Sequence, residues 1–182
     1  VDQKYEVRLS GSGGQGLLVA GIILAEAAAV YEGKNVVQSQ SYGPEARGGA
    51  SKSDVVISGG EINYPKASNI DLLLALTQKA CDKYSHELKE NGILVVDSDM
   101  VHDLPKGNFK LYRLPIITTA KDVVGKLITA NVVALGVITE ISGIVKQDSI
   151  VKAVMNKVPK GTEELNKKAL HVGFDLGKKA TP

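Results

Sequence analysis

Tyr5-Glu6-Val7-Arg8-Leu9-Ser10-Gly11-Ser12-Gly13-Gly14-Gln15-Gly16, leading into an apolar run that continues to Tyr31, decides how the rest of the chain is read. Glu6 to Ser10 is a short strand, and Gly13 to Tyr31 is a helix closed by Gly33, a residue suited to the left-handed step that ends a helix. Between them Gly11, Gly13 and Gly16 carry the G-x-G-x-x-G spacing where a strand turns into a helix. Without Cβ atoms the backbone can turn sharply there, bring its N–H groups close to an anion and let the helix pack tightly on the strand. The positive end of the helix dipole adds to the preference for negative charge. A tight connection that binds nothing would use the same residues.

A dinucleotide site of the usual kind also needs a carboxylate about 20 residues further on, at the end of the next strand. Here that strand, Asn35 to Ser41, closes in Gln38-Ser39-Gln40-Ser41. It offers no carboxylate for ribose hydroxyls and no arginine for a 2′-phosphate. The sequence keeps a phosphate cradle and lacks the mark of NAD or NADP.

A length of 182 residues is one domain with room for a real core, and 43% hydrophobic with 23% charged residues is ordinary for a soluble globular protein. The net charge of +2 comes mostly from lysines spread along the chain, and aromatics are only 4%. The basic groove with stacking platforms expected of a nucleic-acid binder is therefore missing. The single cysteine, Cys81, excludes an internal disulfide framework and any iron–sulfur or Cys-rich zinc site on this chain alone. It reads as a small buried hydrophobe in a reducing compartment. His86, His102 and His171 show no ligand spacing, so no metal site is expected. The longest apolar run, Leu17 to Ala25, falls short of the roughly 20 residues that cross a bilayer. No signal peptide is read ahead of the first strand, and the expected location is the cytoplasm.

Along the chain the pattern is an α/β alternation with one β-hairpin. Ser53 to Ile57 and Glu61 to Tyr64 read as strands around Ser58-Gly59-Gly60, a strong turn signal. Ile70 to Leu76 is a strand covered on both faces. Thr77 caps a helix from Gln78 to Glu90, ended by Asn91-Gly92. Ile93 to Val96 and Phe109 to Leu114 are further strands, and Thr118 to Ile128, Asn131 to Val145, Asp148 to Lys157 and Thr162 to Lys179 are helices. The expected fold is a single three-layer α/β domain over residues 1–182, with a mostly parallel, mixed sheet and a helical C-terminal part. The first helix and that from Asn131 are apolar on most faces, which suits either a central core helix or a subunit interface.

A second loop follows the second strand: Tyr42-Gly43-Pro44-Glu45-Ala46-Arg47-Gly48-Gly49. A guanidinium in a constrained glycine loop suits a carboxylate or phosphate, through its planar fork, or an internal pair with Glu45. Ligands of open α/β sheets gather outside the carboxyl ends of parallel strands, so parallel neighbouring strands one and two would put both loops on one rim. Asp97 and Asp99 end a strand near that rim and suit a ribose or cation, or a turn. Asn131 and Thr77 read as caps rather than ligands.

Gly11 to Gly16, Gln40 to Gly49 and Leu94-Val-Val-Asp-Ser-Asp99 together resemble the gamma subunit of the 2-oxoacid:ferredoxin oxidoreductases, over about Tyr5 to Leu176. Among the branches the chain is most similar to the separate gamma subunit of 2-oxoglutarate enzymes, with the 2-oxoisovalerate branch close behind. The resemblance implies one part of a complex that decarboxylates a 2-oxoacid, reduces ferredoxin and transfers the acyl group to coenzyme A. Thiamine diphosphate with its Mg2+ and the [4Fe-4S] clusters would sit on alpha, beta and delta subunits. The lack of a cysteine set and of a Gly-Asp-Gly motif in this chain agrees with that division.

The gamma domain of this family is associated with coenzyme A. That implies phosphate groups on Gly11, Gly13, Gly14 and Gly16, with Ser10, Ser12 and Gln15 adding side-chain hydrogen bonds. Tyr42, Gly43, Pro44, Glu45, Arg47, Gly48 and Gly49 would face the alpha–beta active site, with Arg47 on an anionic group of coenzyme A or an inter-subunit carboxylate. No catalytic residue is expected on this chain alone. The alternatives are an assembly subunit that binds nothing, a free-standing nucleotide-binding protein, and, for the isolated chain, a homodimer.

Overall fold

The computed structural model describes residues 4–41 and 49–182. A six-stranded mixed sheet carries the fold, built from β1 (Tyr5–Ser12), β2 (Asn35–Ser41), β3 (Ala50–Ser58), β4 (Ile70–Ala75), β5 (Leu88–Asp97) and β6 (Lys110–Leu114) in the order β2-β3-β1-β4-β5-β6. The β1/β4, β4/β5 and β5/β6 pairs are parallel, and β3 is antiparallel to both β1 and β2. Strands β1 and β2 are not neighbours, because β3 lies between them. They still run in one direction, because each is antiparallel to β3, and their carboxyl ends share one rim.

Helix α1 (Leu17–Val30) follows the glycine turn and packs over β2 and β3. After β4 comes α2 (Gln78–Tyr84), capped by Thr77, whose hydroxyl accepts the Ala80 N–H. Residues of α1 belong to the larger apolar cluster and residues of α2 to the smaller one on the other face of the sheet. The chain therefore leaves β1 and β4 towards opposite faces, the arrangement that opens a crevice at the strand ends. The large face holds the remaining long helices, α4 (Ala130–Ser142), α5 (Gln147–Lys157) and α6 (Glu163–Lys178), preceded by the short α3 (Ile116–Thr118).

Helix α4 is buried at ten successive positions, Ala130 to Thr139. Its close partner is α6, where a Cβ on Gly136 would lie 2.9 Å from the Gly173 Cα and closer still to the Leu170 carbonyl oxygen. Between the two readings of α4, the core helix is the one observed. No helix of the described residues is long and apolar enough to cross a membrane.

Three expected elements differ. The antiparallel hairpin is β2–β3, joined across residues 42–48, and residues 59–69 after Ser58-Gly59-Gly60 form no strand. The α2 helix stops at Tyr84, passes through a 3-10 turn (Ser85–Glu87), and β5 begins at Leu88 because it pairs with Ile70 of β4. The expected helix from Thr118 is instead α3, a π-helical turn (Thr119–Val124) and a 3-10 turn (Leu127–Thr129), broken at Gly125 with φ 93°.

One polar knot holds the middle of the sheet. Arg8 of β1 is fully buried, and its fork donates to Asp54 through Nε (2.7 Å to Oδ1) and Nη2 (3.0 Å to Oδ2). Nη1 lies 2.8 Å from Glu87 Oε2, Nη2 donates to the Ala67 carbonyl at 3.3 Å, and the guanidinium sits over the Tyr84 ring. Two positions earlier, Glu6 accepts the N–H groups of Ser68 (2.7 Å) and Asn69 (2.9 Å).

Candidate functional site

The turn from Gly13 to Gly16 ends β1 and begins α1, with Gly14 at φ 86° and Gly16 at φ 73°. Gly16 is the N-cap of α1, and no side chain caps the helix. The first-turn N–H groups of α1 are left for another acceptor. Gly13 and Gly14 are exposed, and a Cβ built on either would meet nothing within 4 Å. The glycines create open room there rather than relieve crowding.

The other glycines of the turn are tightly held. A Cβ on Gly16 would come 2.6 Å from Asn131 Nδ2, the group that donates to the Gly16 carbonyl at 3.1 Å. Asn131 is thus a clamp from α4 onto the turn, not a helix cap. A Cβ on Gly11 would run into Gln15 Oε1, which accepts the Ser12 N–H at 2.8 Å. The side chain of Gln15 therefore braces the turn from within. Ser10 lies behind it, fully buried, with Oγ donating to the Leu74 carbonyl at 2.7 Å. Ser12 stands half-buried at the lip of the turn.

Two hollows flank the turn. A cavity of about 260 Å3 opens between Gly13, Gly14, Leu18, Gln40 and Ser51. Gln40 lies next to the end of β2 and Ser51 next to the start of β3, so the glycine turn and these two strand ends meet on one rim. Lys52 also lines this cavity, but its ammonium is engaged 3.3 Å from Asp54 Oδ2 and over the Tyr84 ring. On the other flank a groove of about 560 Å3 runs between Gly14, Gln15, Met100, Ile117, Leu127 and Ile128. No carboxylate lines either hollow among the described residues.

Asp97 shapes the larger groove. Its Oδ1 accepts the N–H groups of Asp99 (3.0 Å) and Met100 (3.1 Å), and its Oδ2 accepts that of Ile117 (2.8 Å), which fixes two of the lining residues. Burial, helped by the charge of Asp99, raises its pKa against the lowering effect of these donors. Asp99 accepts the Thr118 hydroxyl at 2.7 Å. Of the two sequence readings of this pair, the turn is the one observed. Cys81 is fully buried and burial raises its thiol pKa to about 11, which keeps it protonated and unreactive.

Tyr42, Gly43, Pro44, Glu45, Arg47 and Gly48 lie outside the described residues; Gly49 is half-buried at the entry to β3. Sequence reasoning did not single out Ser51, Met100, Ile117, Leu127 or Ile128. Their only signal was an apolar pair at Leu127-Ile128 at the end of a stretch that read as a helix. No group of three or more histidine, cysteine or acidic side chains among the described residues is placed to hold a metal ion.

A strand–glycine turn–helix rim on a six-stranded mixed sheet places the chain in the α/β class. The family profile for pyruvate ferredoxin/flavodoxin oxidoreductase matches residues 6–176, and the chain belongs to that family. Within it the chain is a gamma-type subunit of the 2-oxoacid:ferredoxin oxidoreductases, most like the 2-oxoglutarate branch. It is 47% identical over 180 residues to 2-oxoglutarate synthase subunit KorC of Methanocaldococcus jannaschii, covering 98% of this chain and 96% of that protein. Ketoisovalerate oxidoreductase subunit VorA of Methanothermobacter marburgensis is 36% identical over 135 residues, 74% of this chain but 28% of VorA. The crystal structure of the keto/oxoacid ferredoxin oxidoreductase gamma subunit from Geobacter sulfurreducens superposes with a TM-score of 0.88 at 55% identity, covering 96% of this chain and 98% of that one. The fold also recurs, with a TM-score of 0.85 and 24% identity over 98% of this chain and 32% of the other, in a 2-oxoglutarate:ferredoxin oxidoreductase from Magnetococcus marinus bound to 2-oxoglutarate, coenzyme A and succinyl-CoA.

Proposed function

We propose that this chain supplies part of the coenzyme A site of a cytoplasmic 2-oxoglutarate:ferredoxin oxidoreductase and completes an active site whose chemistry is done elsewhere. The observation that carries this reading is the uncapped glycine turn, with open space over Gly13 and Gly14 and free N–H groups at the start of a 14-residue helix. Coenzyme A brings a pyrophosphate and a 3′-phosphate, and its pantetheine arm is the kind of long, weakly polar group that the adjoining groove would take. The turn would hold the phosphates through backbone N–H groups, with Ser12, Gln40 and Ser51 at the lip. Arg47, in the Tyr42 to Gly49 loop, is the proposed cation for a phosphate or for an inter-subunit carboxylate. The Magnetococcus marinus protein, which shares the fold and binds coenzyme A, supports the choice of ligand.

Thiamine diphosphate, Mg2+ and the iron–sulfur clusters are assigned to alpha, beta and delta subunits, with ferredoxin as acceptor. A single cysteine is too few to hold an iron–sulfur cluster on this chain alone, which supports that division. Its role is to hold and orient the acyl acceptor and to shield the site from water.

Calorimetric titration of coenzyme A, dephospho-coenzyme A and NAD into the chain and into the reconstituted complex tests the proposal. Coenzyme A should bind at least tenfold more tightly than its dephospho form, NAD should not compete, and Arg47→Ala should weaken binding. A complex in which coenzyme A binds undiminished after Gly13→Val would leave an assembly role without ligand. NAD binding by the isolated chain would favour a free-standing nucleotide protein.

A further inference from the structure

A backbone carbonyl that faces an anion repels it, so a turn that binds one must turn its own acceptors elsewhere. The Gly16 carbonyl has two partners inside the protein: the Ala20 N–H at 3.0 Å, which starts the hydrogen-bond ladder of α1, and Asn131 Nδ2 at 3.1 Å. The peptide joining Gly16 to Leu17 is planar and trans, so its N–H points away from its carbonyl. Holding the Gly16 oxygen against Ala20 and Asn131 therefore aims the Leu17 N–H out of the helix end. That N–H stands at the first position of α1, where it has no helical acceptor. Gly16 and Leu17 both line the 260 Å3 cavity.

Asn131 is fitted closely to this contact. It is the second residue of α4, 8% exposed, in a helix buried at ten successive positions, and its neighbours Ala130 and Val132 are apolar. An amide buried in such a place is costly unless its polar groups are met. Its Oδ1 accepts the Val132 N–H at 2.9 Å, and that bond fixes which end of the amide reaches the turn. A Cβ on residue 16 would lie 2.6 Å from Asn131 Nδ2, so the side chain uses the room that glycine leaves. The turn is thereby tied to a core helix by an amide that is held in its donating orientation.

We infer that Asn131 is a positioning residue for the anion site: by tethering the Gly16 carbonyl to α4 it aims the Leu17 N–H at the phosphate held by the turn. The inference rests on the reading of the turn as a phosphate cradle and adds to it a residue 115 positions further along the chain.

The test is steady-state turnover of the reconstituted complex with coenzyme A as the varied substrate, together with the melting temperature of each full-length variant. Asn131→Asp keeps the size of the side chain and an acceptor for the Val132 N–H, but sets a carboxylate oxygen against the Gly16 carbonyl. It should raise KM for coenzyme A at least about tenfold, with kcat within about twofold of the parent. As pH falls through the titration of the new carboxyl, its O–H can donate to the Gly16 carbonyl, and the ratio of its KM to that of the parent should fall. Asn131→Ala, which has no group to titrate, should raise KM by a ratio that does not change with pH. A residue that only stabilises the fold would lower the melting temperature and leave KM alone. Parent KM in both variants overturns the inference, as does a fall in kcat with KM unmoved. Gly13→Val separates this from a failure of the ligand reading. Raised KM in Gly13→Val with parent KM in the Asn131 variants defeats this inference alone, whereas parent KM in Gly13→Val defeats the phosphate reading and this inference with it.

Discussion

Strand β1 carries two polar regions that differ in how far their hydrogen-bonding capacity is used. In its first half, Glu6 and Arg8 are buried and their charged groups are met by Asp54, Glu87, the Ala67 carbonyl and the Ser68 and Asn69 N–H groups. At its end, the glycine turn has no side-chain cap, and two of its glycines face open space. Buried polar groups that are left unpaired are costly, so the first region can only be structural. A set of N–H groups kept open beside a preformed hollow has a binding use that the first region cannot have. On the proposed reading, the same strand separates holding the fold together from holding a ligand.

The largest effect on that contrast comes from Arg8→Ala. It leaves buried Asp54 with Lys52 alone and half-buried Glu87 without its guanidinium, and the loss should be about 3 kcal/mol, read by denaturant unfolding. A loss below about 1 kcal/mol would mean that the knot is not the structural half of the pair. Next is Gly16→Ala, which adds a Cβ at φ 73° and 2.6 Å from Asn131 Nδ2. The strain and crowding should cost about 1–3 kcal/mol, and coenzyme A binding should weaken with it, because the clamp and the turn move together. Ser10→Ala removes the hydrogen bond to the Leu74 carbonyl, for about 1 kcal/mol, with the coenzyme A titration unchanged since Ser10 is behind the turn.

Acid should act on the first region alone. Burial works to raise the Glu6 pKa, but the hydrogen bonds from Lys4, Asn69 and Ser68 and the charge of Lys4 outweigh it, and the net shift is downward. A carboxyl whose folded pKa lies below its unfolded value of roughly 4.3 stabilises the protein above that pH and ceases to do so as pH falls through the folded value. Glu6→Gln should therefore show a shallower loss of stability on acidification than the parent in pH-dependent melting. A parallel pair of curves would contradict this. The smallest structural effect belongs to Gly13→Val, whose Cβ would meet no atom within 4 Å and which needs no left-handed φ. Its stability should stay within about 0.5 kcal/mol of the parent, so that any loss of coenzyme A binding reports on the site.

The open region was the more legible of the two in the sequence. Glycine at 11, 13 and 16 after an apolar strand marks a tight strand-to-helix turn, and the neutral end of β2 was visible in Gln38 and Gln40. The saturated region was hidden, because Arg8 finds its partners at positions 54, 67 and 87, which no local pattern links. The same holds for Leu88, which reads as the tail of a helix until pairing with Ile70 makes it a strand. Helices α1 and α4 both read as apolar on most faces, and only the structure separates the core helix from the one with Val19 and Val30 at the surface. Leu127 and Ile128 read as the end of a helix that Gly125 in fact breaks.

Amide hydrogen exchange on the assembled complex, with and without saturating coenzyme A, measures the contrast directly. The account predicts slower exchange for residues 13–18 when coenzyme A is present and no change for residues 5–10, whose N–H groups are already committed. Equal exchange at residues 13–18 in both samples, with coenzyme A bound, would contradict it.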